Sequence, residues 1–124
     1  MSRRGVILLA HGARDPKWSE PLVALAGRCT ALEPALPFVL AFLDHLAPDL
    51  PAAASRLVDA GCDELVVVPA FLGVGGHVRS DVPKLVDAVA REHPGVRVRT
   101  SAALGDVASV QDAMAHAVVA AART

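Results

Sequence analysis

The sequence predicts an α/β fold, a three-layer sandwich around a four-stranded parallel sheet of order 2-1-3-4. Three observations lead there. Val6-Ile7-Leu8-Leu9-Ala10 and Leu65 to Val68 are apolar runs without alternation, as expected of strands buried on both faces. Segments between such runs carry apolar residues at spacings of three and four, the signature of a helix with one buried face. The two kinds of segment alternate as βαβαβαβα, which specifies a parallel sheet covered by helices and joined by right-handed crossovers.

The elements follow in order. The first strand is Val6–Ala10, and a polar turn runs from His11 to Lys17. Trp18, Leu22, Leu25, Cys29 and Leu32 then mark the inner face of a helix, with Ser19 as N-cap and Pro21 in the first turn. Glu33-Pro34 ends it. Phe38–Leu43 is the second strand. Pro48 to Pro51 opens a helix with Ala54, Leu57 and Val58 inward and Gly61 at its C′ position. After the third strand comes a glycine-rich loop, Gly73-Val74-Gly75-Gly76. A helix starting near Ser80-Asp81 carries Val82, Leu85, Val86 and Val89 and stops at His93-Pro94-Gly95. Val96-Arg97-Val98-Arg99 alternates, so one face is wet and the strand is an edge. Asp106 caps a last helix with Val107, Val110, Met114 and Val118 inward.

The 124 residues fit one domain, 1–124, large enough for one real core. Hydrophobic residues make up 53%, an excess of Ala and Val that suits tight helix–sheet contacts and a subunit interface. With 12 basic and 13 acidic residues the net charge is −1, so no electrostatic footprint points to nucleic acid or an anionic membrane. Aromatics at 3% and no Tyr argue against base-stacking platforms. Cys29 and Cys62 form no CxxC and read as small hydrophobes in a reducing compartment, with a thiolate metal site as the alternative. The apolar run behind Arg3-Arg4 is too short for a signal peptide or a membrane span, so a cytoplasmic protein is expected.

All strands of a parallel sheet end at one rim, and ligands bind there at the switch point of strand order. Three polar clusters follow strand ends: His11-Gly12-Ala13-Arg14-Asp15, Asp44-His45, and Gly75-Gly76-His77-Val78-Arg79. Strands 1 and 3 are neighbours, so His11 and His77 are expected to approach each other. Neutral imidazole accepts a proton or ligates Co, Fe, Ni or Zn. Two imidazoles with the Asp44 carboxylate make an open site. Each histidine taken alone reads as structural, and it is the convergence that points to chemistry. His45 stays ambiguous, since period-2 geometry points it away from Asp44. His93 suits a helix C-terminus, and His116 lies on a solvated face.

The glycine-rich loop is neither a Walker loop nor a dinucleotide fingerprint. It permits close approach to a flat ligand at Gly75 and Gly76, and the following helix N-terminus can receive an anion. Arg14 and Arg79 are candidates to pair with carboxylates, against the alternative of solvated charges. Asp15 and Asp81 read as caps.

His11-Gly12-Ala13-Arg14-Asp15-Pro16 and Gly75-Gly76-His77-Val78-Arg79-Ser80-Asp81-Val82-Pro83 resemble the two signatures of the sirohydrochlorin chelatases, and Ala41-Phe42-Leu43-Asp44 with Pro48 resembles a third segment. The resemblance covers nearly the whole chain. It implies a chelatase-like fold and ATP-independent insertion of Co²⁺, or Fe²⁺ or Ni²⁺, into sirohydrochlorin in cobalamin or sirohaem biosynthesis. The metal would be a substrate, with no permanently bound cofactor. His11 and His77 match the catalytic and metal-binding histidines, and Asp44 stands where the family usually has Glu. His45 replaces a residue that is usually apolar. The single unit implies the short type, a homodimer. Two rivals stand beside it: a non-catalytic metal or tetrapyrrole carrier, and a phosphate- or nucleotide-binding flavodoxin-like module.

Overall fold

A computed structural model of the chain describes residues 3–73 and 76–124, with 76–79 described in their backbone only. Among the described residues the elements are β1 (Arg4–Ala10), a 3-10 helix (Pro16–Ser19), α1 (Glu20–Leu32), β2 (Phe38–Phe42), α2 (Leu50–Asp59), β3 (Glu64–Pro69), α3 (Gly76–Glu92), β4 (Arg97–Thr100), a second 3-10 helix (Leu104–Asp106) and α4 (Ala108–Ala122). The sheet runs β2-β1-β3-β4, all parallel, as predicted. Val6 pairs with Phe38 on one side and with Val66 on the other.

Strand alternation divides the core. Ile7 and Leu9 of β1 and Leu65 and Val67 of β3 point to one face, where Leu50, Ala53, Ala54 and Leu57 of α2 and Val82, Val86 and Val89 of α3 meet them. Ile7, Leu9, Leu65 and Val67 are wholly excluded from water. Each such side chain stabilises the fold by about 1.5–3 kcal/mol. Val6, Leu8, Ala10 and Val66 point to the other face and are also buried. A right-handed crossover from β1 to β2 puts α1 on that second face. Both cysteines are free, with Cys62 in the core. Burial pushes the Cys62 thiol above its ordinary range, which suits an inert packing role.

The second layer departs from expectation. Leu22, Leu25 and Cys29 of α1 are half-buried, but Leu32 is 81% exposed, and Trp18 lies ahead of α1 in the 3-10 helix at 74% exposed. At the start of α4, Val107 and, within it, Val110 and Met114 are half-buried as predicted, while Val118 is 69% exposed. The stripe continues past the surface it packs on. Caps also differ. Ser19 precedes α1 but donates its hydroxyl to the Pro16 carbonyl (2.7 Å) instead of capping the helix. Asp15 is a cap as read, accepting from the Lys17 N–H at 3.0 Å. Asp106 ends the second 3-10 helix, and α4 has Val107 at its N-cap position without a side-chain bond. Gly61 ends α2 at φ +99° as expected.

The third helix begins at Gly76, a turn before Ser80-Asp81, so Asp81 lies inside it and not at its N-cap position. Pro83 is then within the helix. At the N-terminal edge of the sheet, Glu64 pairs with Arg4 (3.1 Å), Arg97 (3.4 Å) and Arg99 (3.6 Å) across three strands. The wet face of β4 is thus a set of ion pairs around one carboxylate. No helix among the described residues is long and apolar enough to cross a membrane.

Candidate functional site

The switch point falls between β1 and β3, because the chain leaves β1 toward β2 on one side and leaves β3 toward β4 on the other. Loops after β1 and β3 therefore diverge and open a crevice at the C-terminal rim. His11 is the first residue beyond β1. Its backbone continues the ladder: Leu43 N–H donates to Ala10 C=O (2.8 Å), and Asp44 N–H donates to His11 C=O (3.1 Å). On the other side Ala70 N–H donates to Leu9 C=O at 2.8 Å. The ends of β1, β2 and β3 are tied together directly under the site.

Two contacts set the place of His11. Its ring lies against Phe71, with centroids 4.3 Å apart and planes tilted by 35°. Phe71 is buried and its carbonyl accepts from Gly105 N–H at 2.8 Å, which anchors the loop after β3 to the second 3-10 helix. Gly12 has φ +83°, and a Cβ there would run into the Asp44 carbonyl. Only glycine lets the two loops approach this closely.

Asp44 is exposed, and its carboxylate faces His45, Oδ1 to Nε2 3.7 Å. The period-2 reading of His45 is therefore wrong. β2 has ended at Phe42, and His45 adopts φ +65° at the centre of a three-residue turn closed by Leu46 N–H to Asp44 C=O (2.8 Å). That turn brings the imidazole round to the carboxylate. A non-glycine residue at positive φ costs about 1–3 kcal/mol and is concentrated at binding sites.

A hollow of about 160 Å³ beside His11 is lined by Gly12, Ala13, Trp18, Leu22, Phe42 and Ala70 among others. Arg14 is exposed on the same loop. Gly76, His77 and Arg79 belong to the first turns of α3 by their backbone, while Gly75 and the side chains of His77 and Arg79 lie outside the described residues. Among the described residues no three histidine, cysteine or acidic side chains gather closely enough to hold a metal ion. His93 follows α3 at the opposite edge, and His116 is exposed on α4.

Sequence reasoning missed Phe71 and misplaced Trp18. For Phe71 a signal existed, an aromatic just after a buried strand at the predicted rim. The spacing of Trp18 to Leu22 fits a helical stripe, but Trp18 lies in the 3-10 helix ahead of α1.

Comparisons with known proteins follow the same outline. Residues 5–121 match the CbiX family. A sirohydrochlorin cobaltochelatase of Saccharolobus solfataricus is 34% identical over 82 residues, 66% of this chain and 62% of the relative. One of Methanocaldococcus jannaschii is 30% identical over 89 residues, 71% of this chain and again 62% of the relative. The match thus spans less than two thirds of each curated relative's length. Among solved structures, a CbiX protein of Marinobacter aquaeolei, described as putatively of cobalamin biosynthesis, superposes with TM-score 0.86 at 29% identity over 97% of this chain and 98% of that one. The sirohydrochlorin chelatase SirB of Bacillus subtilis, in complex with cobalt, shares the fold (TM-score 0.75, 22% identity) over 82% of this chain but only 44% of its own.

Proposed function

The chain belongs to the CbiX family, and from that premise we propose that it inserts a divalent metal ion into sirohydrochlorin without ATP, with Co²⁺ the first choice ahead of Fe²⁺ and Ni²⁺. The observation that carries the reading is His11, fixed at the switch point by Phe71 and by the Gly12–Asp44 approach. Insertion removes two pyrrole N–H protons as the ion enters the ring. In this reading His11 and His77 divide the work, one imidazole presenting the ion and the other, as general base, taking the two protons one after the other and releasing each to solvent. Asp44, with His45 beside it, adds negative charge that attracts the divalent ion to the rim. Arg14 and Arg79 receive peripheral carboxylates of the macrocycle, while Gly75 and Gly76 let the backbone approach its flat face. The ion is a substrate, and no resident cofactor is part of this mechanism.

The proposal includes a homodimer that completes the cleft. Its support is the apolar surface left open on α4 and the end of α1, together with a SirB chain in which this fold occupies under half the length. Work in the cytoplasm, in cobalamin or sirohaem biosynthesis, follows from the same reading.

The test is insertion itself. Purified protein is mixed with sirohydrochlorin and Co²⁺, Fe²⁺ or Ni²⁺, and the tetrapyrrole absorbance is followed. Product exceeding the protein concentration, formed faster than without protein, is the expected result. No acceleration with any of the three ions ends the enzyme reading, and a single equivalent of product would favour a carrier.

A further inference from the structure

The mechanism above leaves unused the chain's one tryptophan. Trp18 is 74% exposed and lines the hollow that also contains His11, Gly12 and Phe42. An indole left in water forgoes one of the largest burial gains a side chain offers. Its backbone is held in a closed turn. The 3-10 turn beneath it is closed by Trp18 N–H to Asp15 C=O (3.1 Å), Lys17 N–H to the Asp15 carboxylate (3.0 Å) and the Ser19 hydroxyl to Pro16 C=O (2.7 Å). Arg14 and Lys17 flank it on the same segment and are exposed. Among the described residues neither has an ion-pair partner. Asp15, between them, is committed to its cap.

An exposed aromatic surface with exposed cations at its margin fits a ligand that has a flat π face and an anionic rim. We propose that Trp18 is a positioning residue that stacks against one face of the tetrapyrrole, with Lys17 and Arg14 receiving carboxylates at its edge. The inference rests on the chelatase reading and adds to it the residue that orients the ring beside His11. Because the turn is already closed, little backbone entropy is lost when the ring docks.

The experiment measures the Kd of metal-free sirohydrochlorin by absorbance titration, alongside KM and kcat for insertion, in the wild type, Trp18→Ala and Trp18→Phe. Removing a stacking surface is expected to weaken binding by about tenfold in Trp18→Ala. KM should rise by more than kcat falls, and Trp18→Phe should restore most of the affinity. In the wild type the indole emission should move to shorter wavelength as tetrapyrrole is added. An unchanged Kd in Trp18→Ala, with insertion continuing, overturns the role of Trp18 and leaves the chelatase reading intact. Emission that shifts with protein concentration but not with tetrapyrrole also overturns it, by placing the indole in a subunit contact. Absence of both binding and insertion in the wild type removes the reading itself.

Discussion

The His11 imidazole rests on the Phe71 ring, 4.3 Å between centroids, and so links the end of β1 to the loop after β3. The link holds a solvent-facing imidazole at the rim by means of a buried neighbour. It places the first histidine of the proposed site at the end of a strand paired on both sides.

Phe71→Leu should therefore lower insertion more than it lowers stability. The swap keeps most of the buried volume and costs about 1–1.5 kcal/mol. It removes the ring that orients His11, and misplacing a reacting group by an ångström costs up to about a hundredfold. We expect kcat to fall by about ten- to a hundredfold while thermal unfolding stays cooperative. Equal kcat in the variant and the wild type would show that Phe71 only fills space.

Gly12→Ala tests the approach of the two loops. A methyl group there needs both the positive φ and a shift of the Asp44 carbonyl. The expected loss is about 1–3 kcal/mol, roughly 4 °C in Tm for each kcal/mol. Gly61→Ala is the comparison. Its φ is also positive, +99°, but the nearest atom to an added Cβ is the movable Arg3 Nη1 at 3.5 Å. The second variant should lose about 1 kcal/mol, and insertion should fall only in the first. Calorimetry and the absorbance assay read the two effects separately.

Glu64 gives the pH dependence a direction. The hydrogen bond from the Arg4 guanidinium, helped by the charges of Arg97 and Arg99, holds its carboxyl below the ordinary carboxylate range against a smaller opposing effect of burial. The folded state therefore prefers the ionised form more than the unfolded chain does. This contribution is complete above the unfolded glutamate pKa, about 4.3, and is lost as pH falls through the lower folded value. Glu64→Gln should reduce Tm at neutral pH, and its curve should converge on the wild type in acid. Added salt should narrow the gap at neutral pH, because the pairs reach the surface. A gap that is constant from neutral to acid pH would contradict the assignment.

Sequence legibility followed the strength of the local signal. β1 and β3 are continuous apolar runs, and a parallel sheet with right-handed crossovers leaves few orders to choose from, so the strand order and the place of His11 were readable. The start of α3 was not, because Ser80-Asp81 imitates a capping signal and Pro83 suggests a first turn, yet the helix begins at Gly76. His45 was misread for a different reason. Alternation holds only while the chain stays extended, and nothing in the residue types at 43–46 announces a turn with a histidine at positive φ. Leu32 and Val118 fit helical stripes, but periodicity says which face a residue occupies, not whether a neighbour reaches it.

That last distinction carries the prediction about assembly. Val107, Val110, Met114 and Val118 share one face of α4, and the first three are half-buried while Val118 is 69% exposed. A stripe that runs beyond its own support leaves an apolar surface open to a partner, and in the proposed homodimer that partner is a second copy. Val118→Asp would bury an unpaired carboxylate at such a contact, a cost of several kcal/mol to association. At an exposed position of the isolated chain it should change stability by no more than about 0.5 kcal/mol. Light scattering should show a dimer for the wild type and a monomer for Val118→Asp, with insertion falling in parallel if the second copy completes the cleft. A variant that remains dimeric places the interface elsewhere, and a monomeric variant with full insertion activity confines the working site to one chain.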